Sequence, residues 1–251
     1  MSGKLNFLVR RCLLPAITLT ILSAPSWAQE RNIRRITLVT IKLDRIQEWK
    51  AAAKEYMAEI KKSGWDQPLT AWASQTGPTN QYAFVQYFAK WSDLDSFPSK
   101  EFAAEAAPTM AKLLACDQSR EVWVDEMQPE LIIPGAELPK VVRTGRMRIV
   151  PGKLDDELAL YKSDLVPALK KAGITNFGIA VSRYGTPMNE IHTYLGLDGW
   201  TGPFDGSVGA QKVMSAEAYK AYMAKTNGMI EGIEYTIWRF QPELSYLPEK
   251  K

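Results

Sequence analysis

EVWVDEMQPEL at residues 121–131 and EYTIWRFQPEL at residues 234–244 are two versions of one segment. The shared Gln-Pro-Glu-Leu ending has no low-complexity cause. Upstream, Lys61-Lys62-Ser63-Gly64 matches Lys170-Lys171-Ala172-Gly173, Trp91 matches Trp200, and Met110-Ala111-Lys112 matches Met223-Ala224-Lys225. The offset is 109 in the first part and 113 in the last. It changes just after Trp200, where the second copy carries a Gly-rich insertion. Ordered matches at a near-constant offset mark an internal repeat.

Each copy reads as the same run of elements. In the first, 35–42 alternates apolar and polar residues and predicts a strand. A helix follows over 44–63, with Ile46, Trp49, Ala53, Tyr56, Met57 and Ile60 on one face, Lys61 and Lys62 in its last turn and Gly64 beyond it. Strands are expected at 69–75 and 82–89 around a Gly-Pro turn, a helix at 99–115 broken near Pro108, and a strand at 120–127. The second copy gives a strand at 144–150, a helix at 154–171, strands at 177–184 and 190–197, a helix at 216–227 and a strand at 234–240. Asp155, Asp156 and Glu157 are read as charge at the positive end of the 154–171 helix rather than as a metal site.

A single βαββαβ unit covers one face of its sheet with helices and leaves the other bare. Here both alternating sets are apolar, as in Tyr82, Phe84 and Phe88 against Val85 and Tyr87. A bare face would expose several hundred Å² of apolar surface. Burial against the second copy removes that exposure, at about 25 cal/mol per Å². The expected fold is therefore α+β: two tandem ferredoxin-like βαββαβ units closing into a pseudo-dimeric α/β-barrel. The expected division is 29–131 and 141–251 for the half-barrels, with 132–140 as the linker. Which strand faces look inward is left open, because both are apolar.

The segment FVQYFAKWSDLDSF (84–97) resembles the strand-Trp-helix segment of the dimeric α/β-barrel superfamily, and TYLGLDGW (193–200) is a second version of it. The antibiotic-biosynthesis-monooxygenase-like and NIPSNAP-like groups belong there. The resemblance covers nearly all of the chain after residue 28, as a fused pair. It does not imply one activity, since that superfamily holds cofactor-free oxygenases, haem enzymes, isomerases and binders. Some relatives bind haem through an axial ligand expected on a helix. Here His192 is the sole candidate and lies on a strand, so no cofactor is expected.

Residues 1–28 read as a signal peptide: Lys4, Arg10 and Arg11, then the apolar run Cys12–Leu22, then Ser26-Trp27-Ala28 with cleavage after Ala28. A periplasmic or secreted location follows as an expectation. The chain has 31 Lys and Arg against 28 Asp and Glu; three of the basic residues lie in this segment, so the remainder is neutral. Nucleic acid and anionic membrane lose electrostatic support as partners. No later apolar run approaches the ~20 residues of a membrane span. Only Cys116 follows the segment, which excludes an internal disulfide, and one His with one Cys cannot supply a zinc site. No serine-hydrolase or phosphate-loop motif is present.

The candidate site residues are strand residues. His192 and Tyr194 share one strand face and replace Ala83 and Val85 of the first copy. His suits proton transfer near neutral pH, so His192 is a candidate general base with Tyr194 beside it. Trp72, Trp123 and Trp238 are expected in the lumen or core, where lumen aromatics favour a flat or apolar ligand. Arg148 and Arg239 interrupt strands, and a buried Arg needs a carboxylate partner. The 196–209 insertion, with Trp200 and Phe204, reads as a lid. The first expectation is a binder of a small apolar or aromatic molecule. The alternatives are a cofactor-free oxygenase or isomerase in the same pocket, and a protein-interaction module with a filled barrel.

Overall fold

The computed structural model describes residues 32–96, 98–197, 199–200 and 210–248. The expected export segment with its cleavage position Ala28, and Phe204 of the expected lid, lie outside the described residues. Nine-residue strand β1 (Ile33–Ile41) leads into α1 (Ile46–Lys62), β2 (Leu69–Ser74) and β3 (Gln81–Phe88). Then come α2 (Lys100–Glu105), α3 (Ala107–Cys116) and β4 (Asp117–Met127). β5 (Val141–Ile149), α4 (Leu154–Leu160), α5 (Val166–Lys171), β6 (Phe177–Tyr184) and β7 (Glu190–Leu197) follow. α6 (Ala210–Val213), α7 (Ala216–Thr226) and β8 (Ile230–Phe240) complete the chain.

The strands close a barrel in the order β1-β3-β2-β8-β5-β7-β6-β4, and every pairing is antiparallel. Strands of residues 33–127 are contiguous in that order, as are those of residues 141–240. They meet at two seams on opposite sides of the barrel. At one, Trp72–Ser74 of β2 pairs with Trp238–Phe240 of β8. At the other, Val124–Met127 of β4 pairs with Ala180–Tyr184 of β6.

Pairing register settles the inward face. Val39 lies opposite Tyr82 and Leu38 opposite Ala83. Val39 and Tyr82 pack under α1 with Trp49, Ala53, Ala73 and Leu113. Leu38 and Ala83 point the other way, into the barrel. On the second half, Ile149, Ile179 and Ile191 pack outward against Tyr161 and Leu169. The helices thus form an outer layer over one set of side chains, and the alternate set is left to the interior.

Local differences from the sequence reading have physical causes. β4 and β8 begin at Asp117 and Ile230, earlier than their composition indicates, because β1 and β5 pair along almost their whole length. The predicted 154–171 helix contains a π turn at Tyr161–Leu165. Pro167 follows it and has no N–H to give the Ser163 carbonyl, so the backbone ladder must re-register there. Glu157 does not sit in solvent at the helix end, as Asp155 and Asp156 do; it is fully buried beside Tyr161. The predicted break near Pro108 falls at Ala106, between α2 and α3. Among the described residues no helix is long and apolar enough to cross a membrane.

Candidate functional site

A cavity of about 450 Å³ occupies the barrel interior. Its two seam-side walls are chemically opposite. At the β4–β6 seam, Asp125 is fully buried, and Arg34 lies across from it in the β1–β4 register. Arg34 donates from Nε to Oδ1 and from Nη2 to Oδ2 of Asp125, both at 2.8 Å. His192 places Nδ1 at 3.0 Å from Asp125 Oδ2 and Nε2 at 3.2 Å from Glu190 Oε2. Glu190 is held in turn by Arg146 Nη2 at 3.1 Å, and Arg148 Nη2 approaches it to 3.8 Å. The result is a line of alternating charge, Arg34, Asp125, His192, Glu190 and Arg146, buried at its first four members and half-buried at Arg146.

This geometry fixes the proton on His192. Carboxylate oxygens only accept, so a ring flanked by two of them must donate from both nitrogens and be an imidazolium. Burial opposes that charge, but the hydrogen bonds to Asp125 and Glu190 outweigh it and raise the His192 pKa. Burial likewise opposes the Asp125 carboxylate, and the Arg34 charge and the His192 hydrogen bond carry its pKa below the ordinary value. The hydrogen bond from His192, with Arg146 behind it, pulls Glu190 down to about 2. Both partners are therefore ionised around the ring.

Aromatic side chains frame this wall. Trp123 meets His192 edge-on, with ring centroids 5.9 Å apart, and Arg146 lies 5.6 Å over the Trp123 ring. The Arg34 guanidinium stands 5.3 Å over Tyr194. Gly178 of β6 pairs with Tyr194, and a Cβ there would come within 2.4 Å of its ring, so only glycine leaves room for the phenol.

The β2–β8 seam is apolar. Val142 faces Trp238 in the β5–β8 register as Arg34 faces Asp125 in the β1–β4 register. Ala83 and Val85 occupy on β3 the places that His192 and Tyr194 hold on β7. Trp72 and Trp238 cluster with Val142 and Ala83. Their indole N–H groups are satisfied sideways, Trp72 by Thr70 Oγ1 at 3.0 Å and Trp238 by Thr144 Oγ1 at 2.8 Å. Rings held this way offer an apolar surface to the cavity. Part of the remaining lining is the connection between the halves: Ile133, Leu138 and Pro139 line the interior, and Ile133 bridges to Phe177 of β6.

Of the candidates read from sequence, His192, Tyr194, Trp72 and Trp238 all line the cavity. Arg148 shares their strand face but is exposed beyond Arg146, at the rim. Arg239 alternates with Trp238 and so faces outward, exposed, with Nε 3.3 Å from Gln75 Oε1. Trp200 packs against the core of the second half and does not line the cavity. The 132–139 connection supplies a wall that the sequence does not point to; most of the 196–209 insertion expected as a lid lies outside the described residues. Sequence reasoning missed Arg34, Asp125, Glu190 and Arg146. A charged residue at the inward register of a strand is the signal that marks them, and it becomes usable only once the inward face is known.

The residues do not fit an axially ligated haem, since both nitrogens of the sole histidine are engaged by carboxylates. Among the described residues, no group of three or more His, Cys, Asp or Glu side chains is arranged to hold a metal ion.

No family model matches the chain, and no curated protein matches it. Solved structures do. A proposed monooxygenase from Lactobacillus acidophilus superposes with a TM-score of 0.60 at 13% identity, over 84% of this chain and 94% of that one. An anthrone oxidase-like protein gives 0.58 at 13% identity, over 85% and 93%. A chlorite dismutase from Candidatus Nitrospira defluvii gives 0.53 at 8% identity, over 87% and 95%. At such identities the likeness is one of fold: a mixed α+β chain with a closed eight-stranded antiparallel barrel.

Proposed function

We propose that this protein binds a small, planar, largely apolar molecule inside its barrel, between the ionic wall at one seam and the tryptophan wall at the other. The observation that carries this is the asymmetry of the interior. Equivalent register positions hold Arg34 and Asp125 on one side and Val142 and Trp238 on the other. Packing alone does not call for Arg34, Asp125, His192 and Arg146 together in a barrel lining, with Glu190 behind them. Such a lining costs desolvation, which ligand orientation can offset.

In this reading the chain is a fused pair of ferredoxin-like half-barrels, 29–131 and 141–251, exported after removal of residues 1–28. His192 and Tyr194 serve as polar anchors, with His192 positioning Asp125 and Glu190. Turnover as a cofactor-free oxygenase or isomerase, with His192 as base, would ask for a ring nitrogen free to take a proton. Both nitrogens are engaged, so binding carries the proposal. Thermal unfolding with planar aromatic probes such as 2-naphthamide tests it. A probe at 100 times its dissociation constant should stabilise the fold by about 2.7 kcal/mol. No stabilisation by any planar aromatic at millimolar concentration would remove the binding role.

A further inference from the structure

The ionic wall is not balanced within itself. Arg34, Arg146 and the doubly bonded His192 are three cations, and Asp125 and Glu190 are two anions. One positive charge is left over beside the cavity. Glu121, Glu137 and Glu234 also line the cavity but are exposed, as is Arg148, so solvent screens them, and it screens the half-buried Arg146 in part. Donors are also in excess. Arg34 uses two of its three nitrogens on Asp125. The buried Trp123 Nε1 has no hydrogen-bond partner among the described residues. The Tyr194 hydroxyl also meets none there, and burial raises its pKa, so it keeps its proton to donate.

We infer that the occupant is a planar apolar molecule carrying a single carboxylate, its oxyanion set against Arg34 and Tyr194 and its ring system against Trp72 and Trp238. An anion completes the charge of the wall and accepts from its free donors. A neutral molecule of the same shape leaves both uncompensated. The inference rests on the binding reading above and narrows its ligand class.

Calorimetric titration of the full chain with 2-naphthoate and with its neutral isostere 2-naphthamide separates the two. At a pH of about 6, naphthoate should bind about tenfold tighter or more, as a charge-assisted hydrogen bond supports. Tyr194→Phe should narrow that margin, and Arg34→Met should abolish it. Arg34→Met leaves Asp125 without its main partner; if that variant does not fold, Tyr194→Phe still carries the test. The margin should also shrink as pH rises through the His192 pKa, because deprotonation cancels the excess charge; Asp125, Glu190, Arg34, Arg146 and Trp123 are the groups facing that ring. Equal affinity for the two probes overturns the carboxylate inference and leaves the binding reading standing. Binding of neither overturns both. A margin unchanged in Tyr194→Phe and in every folded Arg34 variant places the anion elsewhere and overturns the inference.

Discussion

Asp125 accepts from Arg34 and His192 at once, in a place with no solvent to replace either. Asp125→Ala would leave the Arg34 guanidinium uncompensated in the barrel wall and the His192 imidazolium with Glu190 alone. It should destabilise the protein by about 3–5 kcal/mol, read by urea unfolding. The pH dependence follows from the directions of shift. Asp125 and Glu190 have lowered pKa values, so their contribution is present above the unfolded carboxylate values and lost as pH falls through the folded ones. His192 has a raised pKa, so its contribution is full below its unfolded value and lost as pH rises through the folded one. The network should therefore stabilise most between about pH 4.5 and 6.5. Melting temperatures from acid to alkaline pH should show a decline above neutrality that is shallower in His192→Gln. An identical decline in that variant would mean the ring is not an imidazolium. Glu157 is the opposite case. Burial raises its pKa, with the Tyr161 hydroxyl only partly offsetting it, so its ionisation subtracts stability as pH rises. Glu157→Gln should raise the melting temperature at about pH 8 more than at about pH 5.

At the scale of elements, close contacts hold the walls in place. Gly185, in the β6–β7 turn, has φ +88°, and a Cβ there would come within 2.3 Å of the Val122 carbonyl oxygen. That oxygen is backbone and cannot rotate aside. Gly185→Ala should cost about 1–3 kcal/mol, measured by chemical denaturation, and a neutral result would contradict the seam as described. The elements themselves were largely legible. The apolar stripe of Trp49, Ala53, Met57 and Ile60 marks α1, and these residues are buried as that spacing requires. The π turn was not legible, because it answers to Pro167 within an otherwise unbroken helical pattern. β1 begins at Ile33, before the 35–42 stretch whose alternation marks a strand, because Arg34 next to Ile33 breaks that alternation and pairs with Asp125.

At the scale of the whole molecule, two four-stranded runs, from residues 33–127 and 141–240, close the barrel, and the repeat expected from the sequence hides the site. Repeats are found by what is kept, such as Gln-Pro-Glu-Leu. The interior is defined by what differs: Arg34 against Val142, Asp125 against Trp238, His192 against Ala83. The replacement of Ala83 and Val85 by His192 and Tyr194 was visible in the alignment of the copies. Glu190 lies two residues before His192 and shares its strand face by the same alternation as Tyr194, and Arg146 faces His192 in the β5–β7 register; Asp125 lies on β4, and only closure of the barrel brings it to the ring. The proposed ligand site is the barrel interior. Ala83 lines the cavity opposite Trp72 in the β2–β3 register, so Ala83→Phe extends the tryptophan wall into the lumen, in the cluster against which Tyr194 packs. Titration of this variant with 2-naphthoate, alongside its melting temperature, is the most direct measurement. With the ligand inside the barrel, the variant folds and its affinity falls by about tenfold or more. A folded variant that binds as the parent does would place the ligand outside the barrel and contradict that site.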